Sequence, residues 1–164
     1  MKIVYIDSQN IHKSILDLGR IIDWEGFYKY LKQKYKVDEI KMFLGYMQKY
    51  ENFYKKLEKI GYKIIFKDTL ILPDWSVKWN VDIDIAIQAL LDLFEGNLSE
   101  AYLVTGDWDY NTLVKLLKER KLLGKVFIPN KDKSSKLLRK AAWADIITLE
   151  SLKYFIQKKP RNSS

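Results

Sequence analysis

The 164-residue chain has no cysteine, a single histidine and only three prolines. Without cysteine there are no disulfides, thiolate metal sites or cysteine nucleophiles; the compartment is left unfixed, with the cytoplasm as the default expectation. The lone histidine, His12, leaves no histidine pair for zinc and no Ser-His-Asp set of recognisable spacing. No apolar run approaches the roughly 18 residues needed to cross a membrane. The chain opens directly on "KIVYID", without a basic-apolar-small leader, so neither a span nor a signal peptide is expected. There is no Gly-rich P-loop and no GxGxxG after the first apolar run, which argues against nucleotide binding through either motif.

What is present is 48% hydrophobic and 30% charged, a globular composition. The length suits one domain with a core of ordinary size. That domain is expected to span residues 1–157, with "KKPRNSS" (158–164) as a disordered basic tail. The formal net charge is +8. Residues 111–140 hold ten Lys and Arg against only Glu119 and Asp132, so this stretch carries the whole excess. Concentrated basic charge points to a polyanion, most often nucleic acid. A lysine-rich solvated face is the competing reading, and charge alone does not separate the two.

Short β-branched runs recur between helical patterns. The strands are "KIVYID" (2–7), "IKMFLG" (40–45), "YKIIFK" (62–67), "AYLVT" (101–105), "KVFIP" (125–129) and "DIITL" (145–149). Helical spacing covers 23–35, where Trp24, Phe27, Leu31 and Tyr35 recur, and 48–60. It also fits 82–95, 108–122, 134–142 and 150–157. Gly61, Gly96 and Gly124 stand where helices should end. Alternating strand and helix predicts an α/β fold, a mainly parallel sheet covered on both faces. The stretch "DTLILPDWSVKWNV" (68–81) breaks the rhythm and reads as a long loop containing a hairpin, a place where function often sits.

In open α/β sheets, ligands bind beyond the carboxyl ends of the strands. Asp7 and Asn10 follow the first strand in "DSQN". Asp107 and Asp109 follow the "AYLVT" strand in "VTGDWDYNTL". Asp82 and Asp84 open an otherwise apolar helix. Each could be an ordinary helix cap or first-turn acid favoured by the helix dipole. Several carboxylates on one sheet edge, however, repel one another unless a cation neutralises them. Oxygen-only ligands select a hard ion, Mg²⁺ or Mn²⁺, which can activate water and neutralise a phosphoryl group. Trp75, Trp79 and Trp108 lie near this edge, where they either stack on unpaired bases or anchor loops to the core.

In this order the motifs resemble the NYN domain family, the LabA-like branch of the PIN-like nuclease superfamily. "YIDSQN" resembles the family's opening strand and Asp-x-x-Asn signature. "KWNVDIDIAI" resembles its Lys-Gly-(Asn)-Val-Asp helix start, and "YLVTGDWDYNTLV" its strand followed by Ser/Thr-Gly-Asp-x-Asp-Phe. "SSKLLRKAAWADIITL" is similar to a late Ser…Leu…Ala-Asp segment. The similarity covers roughly residues 2–150. It implies a three-layer α/β/α sandwich, a Mg²⁺ or Mn²⁺ site of aspartates, and RNA-processing or RNA-degrading activity. By motif position the acidic set is Asp7, Asp82, Asp107 and Asp109, with Asn10 and Thr105 in support. Asp84 and Asp145 match less well; Asp84 points about 200° around the helix from Asp82, too far to share one ion. Three positions depart from the pattern: Trp79 replaces a glycine, Trp108 a small residue, and Tyr110 a phenylalanine.

The expected function is a metal-dependent ribonuclease. Lys78, Trp79, Trp108, Lys131, Lys133, Ser134, Lys136, Arg139 and Lys140 are the expected contacts to single-stranded RNA. DNA as a substrate and a homodimeric state both stay open. The alternatives are a non-catalytic RNA-binding module of the same fold and a metal-dependent phosphatase for small esters.

Overall fold

The computed structural model describes residues 1–67, 70–71, 77–78, 81–132, 134–152 and 155–158. The first apolar run forms strand β1 (Lys2–Asp7) and leads into helix α1 (Ser8–Asp17). A short strand β2 (Arg20–Ile22) precedes α2 (Trp24–Tyr30), which continues as one wider turn through Tyr35. Then come β3 (Glu39–Gly45), α3 (Glu51–Ile60) and β4 (Lys63–Lys67). The expected hairpin is present as β5 (Leu70–Ile71) paired antiparallel with β6 (Val77–Lys78). Most of the remaining 68–81 segment, Trp75 and Trp79 included, lies outside the described residues, as do Lys133 and the tail beyond Lys158.

The second half runs α4 (Asp82–Phe94), β7 (Glu100–Val104), α5 (Asn111–Glu119), β8 (Leu123–Ile128), α6 (Lys136–Ala142) and β9 (Ile146–Thr148). Two expectations fail here. The described residues of 150–157 are not one helix: a 3-10 turn (Leu149–Ser151) comes first, and β10 (Ile156–Lys158) then pairs antiparallel with β2. The helical spacing of that stretch comes from Phe155, which packs on Phe27 and Tyr30 from the end of an extended ribbon. Lys158 is the last residue of that strand. Gly124 does not end a helix either; it lies inside β8, where a side chain would meet the ring of Tyr102 at 2.7 Å. Gly61 and Gly96 do follow helices, at φ +119° and +71°.

Six strands form one parallel sheet in the order β4-β3-β1-β7-β8-β9. Alternate residues supply its two faces. Val4 and Ile6 point to the side covered by α1, α2 and α3 through Ile11, Ile15, Phe27, Leu31, Tyr54 and Leu57. Ile3 and Tyr5 point to the side covered by α4, α5 and α6 through Ile85, Ala89, Leu113, Val114, Leu117, Leu138 and Ala142. Near-continuous apolar strands are what two covered faces demand. The result is a three-layer α/β/α sandwich.

One charged pair crosses the second interface. Lys41 of β3 and Asp92 of α4 are both buried, with the ammonium 2.7 and 2.9 Å from the two carboxylate oxygens. Tyr5 donates its hydroxyl to the same carboxylate at 2.7 Å, and Gln88 donates at 3.1 Å. Buried charges need such partners to be tolerated. Among the described residues, no helix is long and apolar enough to cross a membrane.

The strand order fixes where a ligand can sit. From β1 the chain moves outward to β3 and β4, then returns through α4 to the opposite side of β1 and moves outward again through β7, β8 and β9. The direction reverses between β1 and β7. A crevice opens beyond the carboxyl ends of two such strands, because their following loops diverge to opposite faces.

Candidate metal centre

The loops after β1 and β7 carry the two acidic motifs to that crevice. Asp7 ends β1 and is almost completely buried. Its carboxylate accepts the Asn10 N–H at 3.0 Å and thereby caps α1. The capping reading of this motif thus holds, but the cap is Asp7 and not Asn10. The Asn10 side chain instead spans the crevice, accepting the Gly106 N–H at 2.8 Å. This bond ties the two motif loops together across 96 residues of sequence.

Beyond β7, Thr105 is buried and its hydroxyl oxygen accepts the Asp107 N–H at 3.2 Å. Asp107 in turn caps the 3-10 turn Trp108–Tyr110 by accepting the Asp109 N–H at 3.2 Å. This tight turn, rather than the expected start of an α-helix, places Asp107 and Asp109 side by side. Asp82 joins them from the first turn of α4. One carboxylate oxygen from each of Asp82, Asp107 and Asp109 lies within 4.8 Å of the others.

Asp7 lies behind this trio. Burial raises its pKa, and the charges of Asp82 and Asp107 push in the same direction. The Asn10 N–H and the Tyr110 hydroxyl pull the other way, and the balance stands at about 7. Asp82 is also raised, by burial and by the charges of Asp107 and Asp109. Desolvated carboxylates facing like charge resist ionisation for want of a cation. Among the described residues, no lysine or arginine forms an ion pair with Asp107 or Asp109.

The residue that organises the cluster is Tyr110, which the motif comparison marks only as a replacement for phenylalanine. Its ring is buried and its hydroxyl donates to Asp7 at 3.2 Å. The hydroxyl also interacts with Asp82. Burial and both carboxylates hold its pKa far above the ordinary phenol range, so it stays a donor. A hydroxyl directly after Gly-Asp-x-Asp was the available signal.

Asp84 and Asp145 do not join the cluster. Asp84 pairs with Lys67 at 2.7 Å, on the flank of α4 away from Asp82. Asp145 precedes β9 at the opposite sheet edge, where it pairs with Lys125 at 3.1 Å. His12 is exposed on α1. Beside the acids, a groove of about 360 Å³ runs between α4 and α5, walled by Asp82, Ile83, Ala86, Leu90, Asp109, Tyr110, Thr112, Leu113 and Leu116.

The basic residues fall into two groups. Lys131, Lys136 and Lys140 are exposed, and Trp108 stands at the rim between the two late aspartates with 59% of its surface open. Arg139 is occupied: its guanidinium donates to the carbonyls of Lys131 and Ser134 and to the Ser134 hydroxyl, holding the β8–α6 loop. Ser134 in turn donates to the Lys131 carbonyl at 3.2 Å. That loop is fastened to the acidic motif by the Ser135 N–H, which donates to the Gly106 carbonyl at 3.0 Å. Nothing in the sequence marked this tie. Lys78 lies in β6, with only its backbone described.

No curated protein matches the sequence. The crystal structure of a protein of unknown function from Vibrio parahaemolyticus RIMD 2210633 matches with a TM-score of 0.78 and 20% identity, over 94% of each chain. At that identity the likeness shows the fold alone. The model of the NYN domain matches residues 2–150, nearly the whole chain, and the chain belongs to the NYN domain family.

Proposed function

We propose that this protein is a metal-dependent ribonuclease, with Mg²⁺ or Mn²⁺ held by Asp82, Asp107 and Asp109 and backed by Asp7. The observation that carries the reading is the carboxylate trio, closed to within 4.8 Å at the sheet's switch point in a chain of the NYN family. The donor set fits a hard divalent ion: it is all oxygen, and burial and mutual repulsion leave Asp7 and Asp82 reluctant to ionise without added positive charge. Such an ion, when bound, neutralises phosphoryl oxygens and makes a water acidic enough to serve as nucleophile.

The chain's own residues supply the rest. Tyr110 steadies Asp7 and Asp82 through one hydroxyl. Asn10 sets the distance between the two motif loops, and Thr105 holds the turn that aims Asp107. Lys131, Lys136 and Lys140 attract the phosphates of a single strand, and Trp108 offers a ring to a base at the rim.

The test is cleavage of single-stranded RNA with Mg²⁺ or Mn²⁺, against EDTA. Metal-dependent cleavage is expected, together with a metal-induced rise in melting temperature. Asp107→Asn should abolish cleavage and reduce that rise. Cleavage that survives both chelation and the substitution sinks the mechanism. Salt-sensitive RNA binding without turnover at any metal concentration would favour a binding module instead.

A further inference from the structure

The end of α6 is followed by an aromatic side chain for which the carboxylate centre has no use. Trp143, directly after α6, is 77% exposed. A tryptophan normally buries some 150–250 Å² of surface, yet this one packs on almost nothing. Its backbone adds to the anomaly. At φ +36° and ψ −104° it occupies a region that residues with a side chain rarely adopt. The chain holds an indole outward at a position where glycine would be less strained.

Its neighbours include several cations together with Asp145, two residues on, which lies 3.9 Å from Lys118 and 3.1 Å from Lys125. Lys136 and Lys140, four residues apart and both exposed, share one face of α6, and the exposed Trp143 follows one residue past the helix end. Lys118 of α5 reaches the same place, donating to the Ala141 carbonyl at 3.4 Å. Helices α5 and α6, which lie in one layer on the sheet, both fall within the stretch that carries the charge excess.

The face is continuous with the acidic site. Ser135, just before α6, is bonded to Gly106 of the acidic motif. The helix then runs back along β8 toward the opposite sheet edge, where β9 begins. Eight residues separate Ser135 from Trp143, which at the α-helical rise is about 12 Å. A single strand leaving the carboxylates along α6 would therefore reach the indole within a few nucleotides.

We propose that this face is a second contact for the single-stranded substrate, in which Lys136 and Lys140 hold phosphates and Trp143 stacks on a base. The ligand class rests on the ribonuclease reading; the face itself does not. Every base presents a π-face, so the contact tolerates any sequence and favours longer strands.

The experiment uses the full chain in EDTA, so that no turnover intervenes, with dye-labelled RNA and DNA oligonucleotides of about twelve nucleotides, within the usual span of single-strand sites. Trp143→Ala is expected to weaken binding about tenfold, equally for RNA and DNA, and to leave the salt dependence unchanged. Trp143→Tyr should restore affinity. Replacing both Lys136 and Lys140 by Gln should lower the slope of log K against log salt by about 1.4. Trp143→Gly should bind as weakly as the alanine variant without losing thermal stability. Unchanged affinity in Trp143→Ala overturns the proposal, as does a loss of affinity that follows a lowered melting temperature, which would make the indole a packing anchor. If metal-dependent cleavage occurs and Trp143→Ala binds like wild type, this proposal alone fails. If wild type binds no oligonucleotide in EDTA, this proposal fails; if it also cleaves no RNA with Mg²⁺ or Mn²⁺, the ribonuclease reading fails with it.

Discussion

Asp92 and Lys41 place one charge of each sign in the apolar layer beneath α4, and removing Asp92 leaves the buried Lys41 only Glu39, 3.4 Å away at the layer's margin. Burial works to raise the pKa of Asp92, but the hydrogen bonds from Lys41 and Tyr5 and the Lys41 charge outweigh it and hold it below the usual carboxylate value. A folded-state pKa below the unfolded one gives stability that is present above the ordinary carboxylate range and is lost as pH falls through the folded value. Asp92→Asn should therefore cost about 3–5 kcal/mol near neutrality, and its deficit should shrink in acid below the carboxylate range, as urea unfolding across pH would show. A constant deficit would mean the pair carries none of the acid lability. Asp92 was unreadable beforehand because it sits in an apolar helical run and its partner is 51 residues away. Asp7, Asp82, Asp107 and Asp109 were readable as candidates because their motifs stand at strand ends or a helix start, where local sequence sets position. Tyr110 showed only as a hydroxyl after Gly-Asp-x-Asp; its role was not readable, since what that hydroxyl meets is decided only when β1 and β7 lie side by side.

Among the elements, β8 and the end of α4 carry glycines for different reasons. A methyl at Gly124 would press on the ring of Tyr102, which is itself buried and cannot withdraw. Gly124→Ala should cost about 1–3 kcal/mol through overpacking. Gly96 faces open space but has φ +71°, so Gly96→Ala should cost about 1 kcal/mol through the backbone. Urea denaturation separates the two when Tyr102 is shortened to Leu: the Gly124 penalty should fall and the Gly96 penalty should not. The main strands were legible because the central ones, β1, β3, β7 and β8, are buried on both faces and so read as apolar runs. The segment 150–157 was misread because β10 owes its form to β2, more than 130 residues earlier, and local spacing holds no trace of a distant partner. The turn Trp108–Tyr110 was absorbed into a helix for the opposite reason: its sequence is helix-compatible, and only the Asp107 cap tightens it.

Across the molecule, alternating strands and helices indicated the α/β class and left the strand order open, because many orders satisfy the same alternation. The order matters most for β1, the first strand made and one of the two central strands of the finished sheet. Both of its edges are hydrogen-bonded in the fold, one to β3 and the other to β7, whose residues begin at Glu100. On a ribosome adding about 5–20 residues each second, roughly 5–20 s pass between the emergence of β1 and of β7. During that interval the N-terminal half is a sheet with an open apolar margin, a form prone to wrong pairing. Nascent chains halted before β7 has emerged should be cut readily by protease within residues 1–60, and chains extended past residue 150 should resist. Early resistance would mean that β1, β3 and β4 are stable alone. The placement of one strand thus makes this small protein dependent on its own second half for as long as synthesis lasts, and gives chaperones a window that the finished fold does not show.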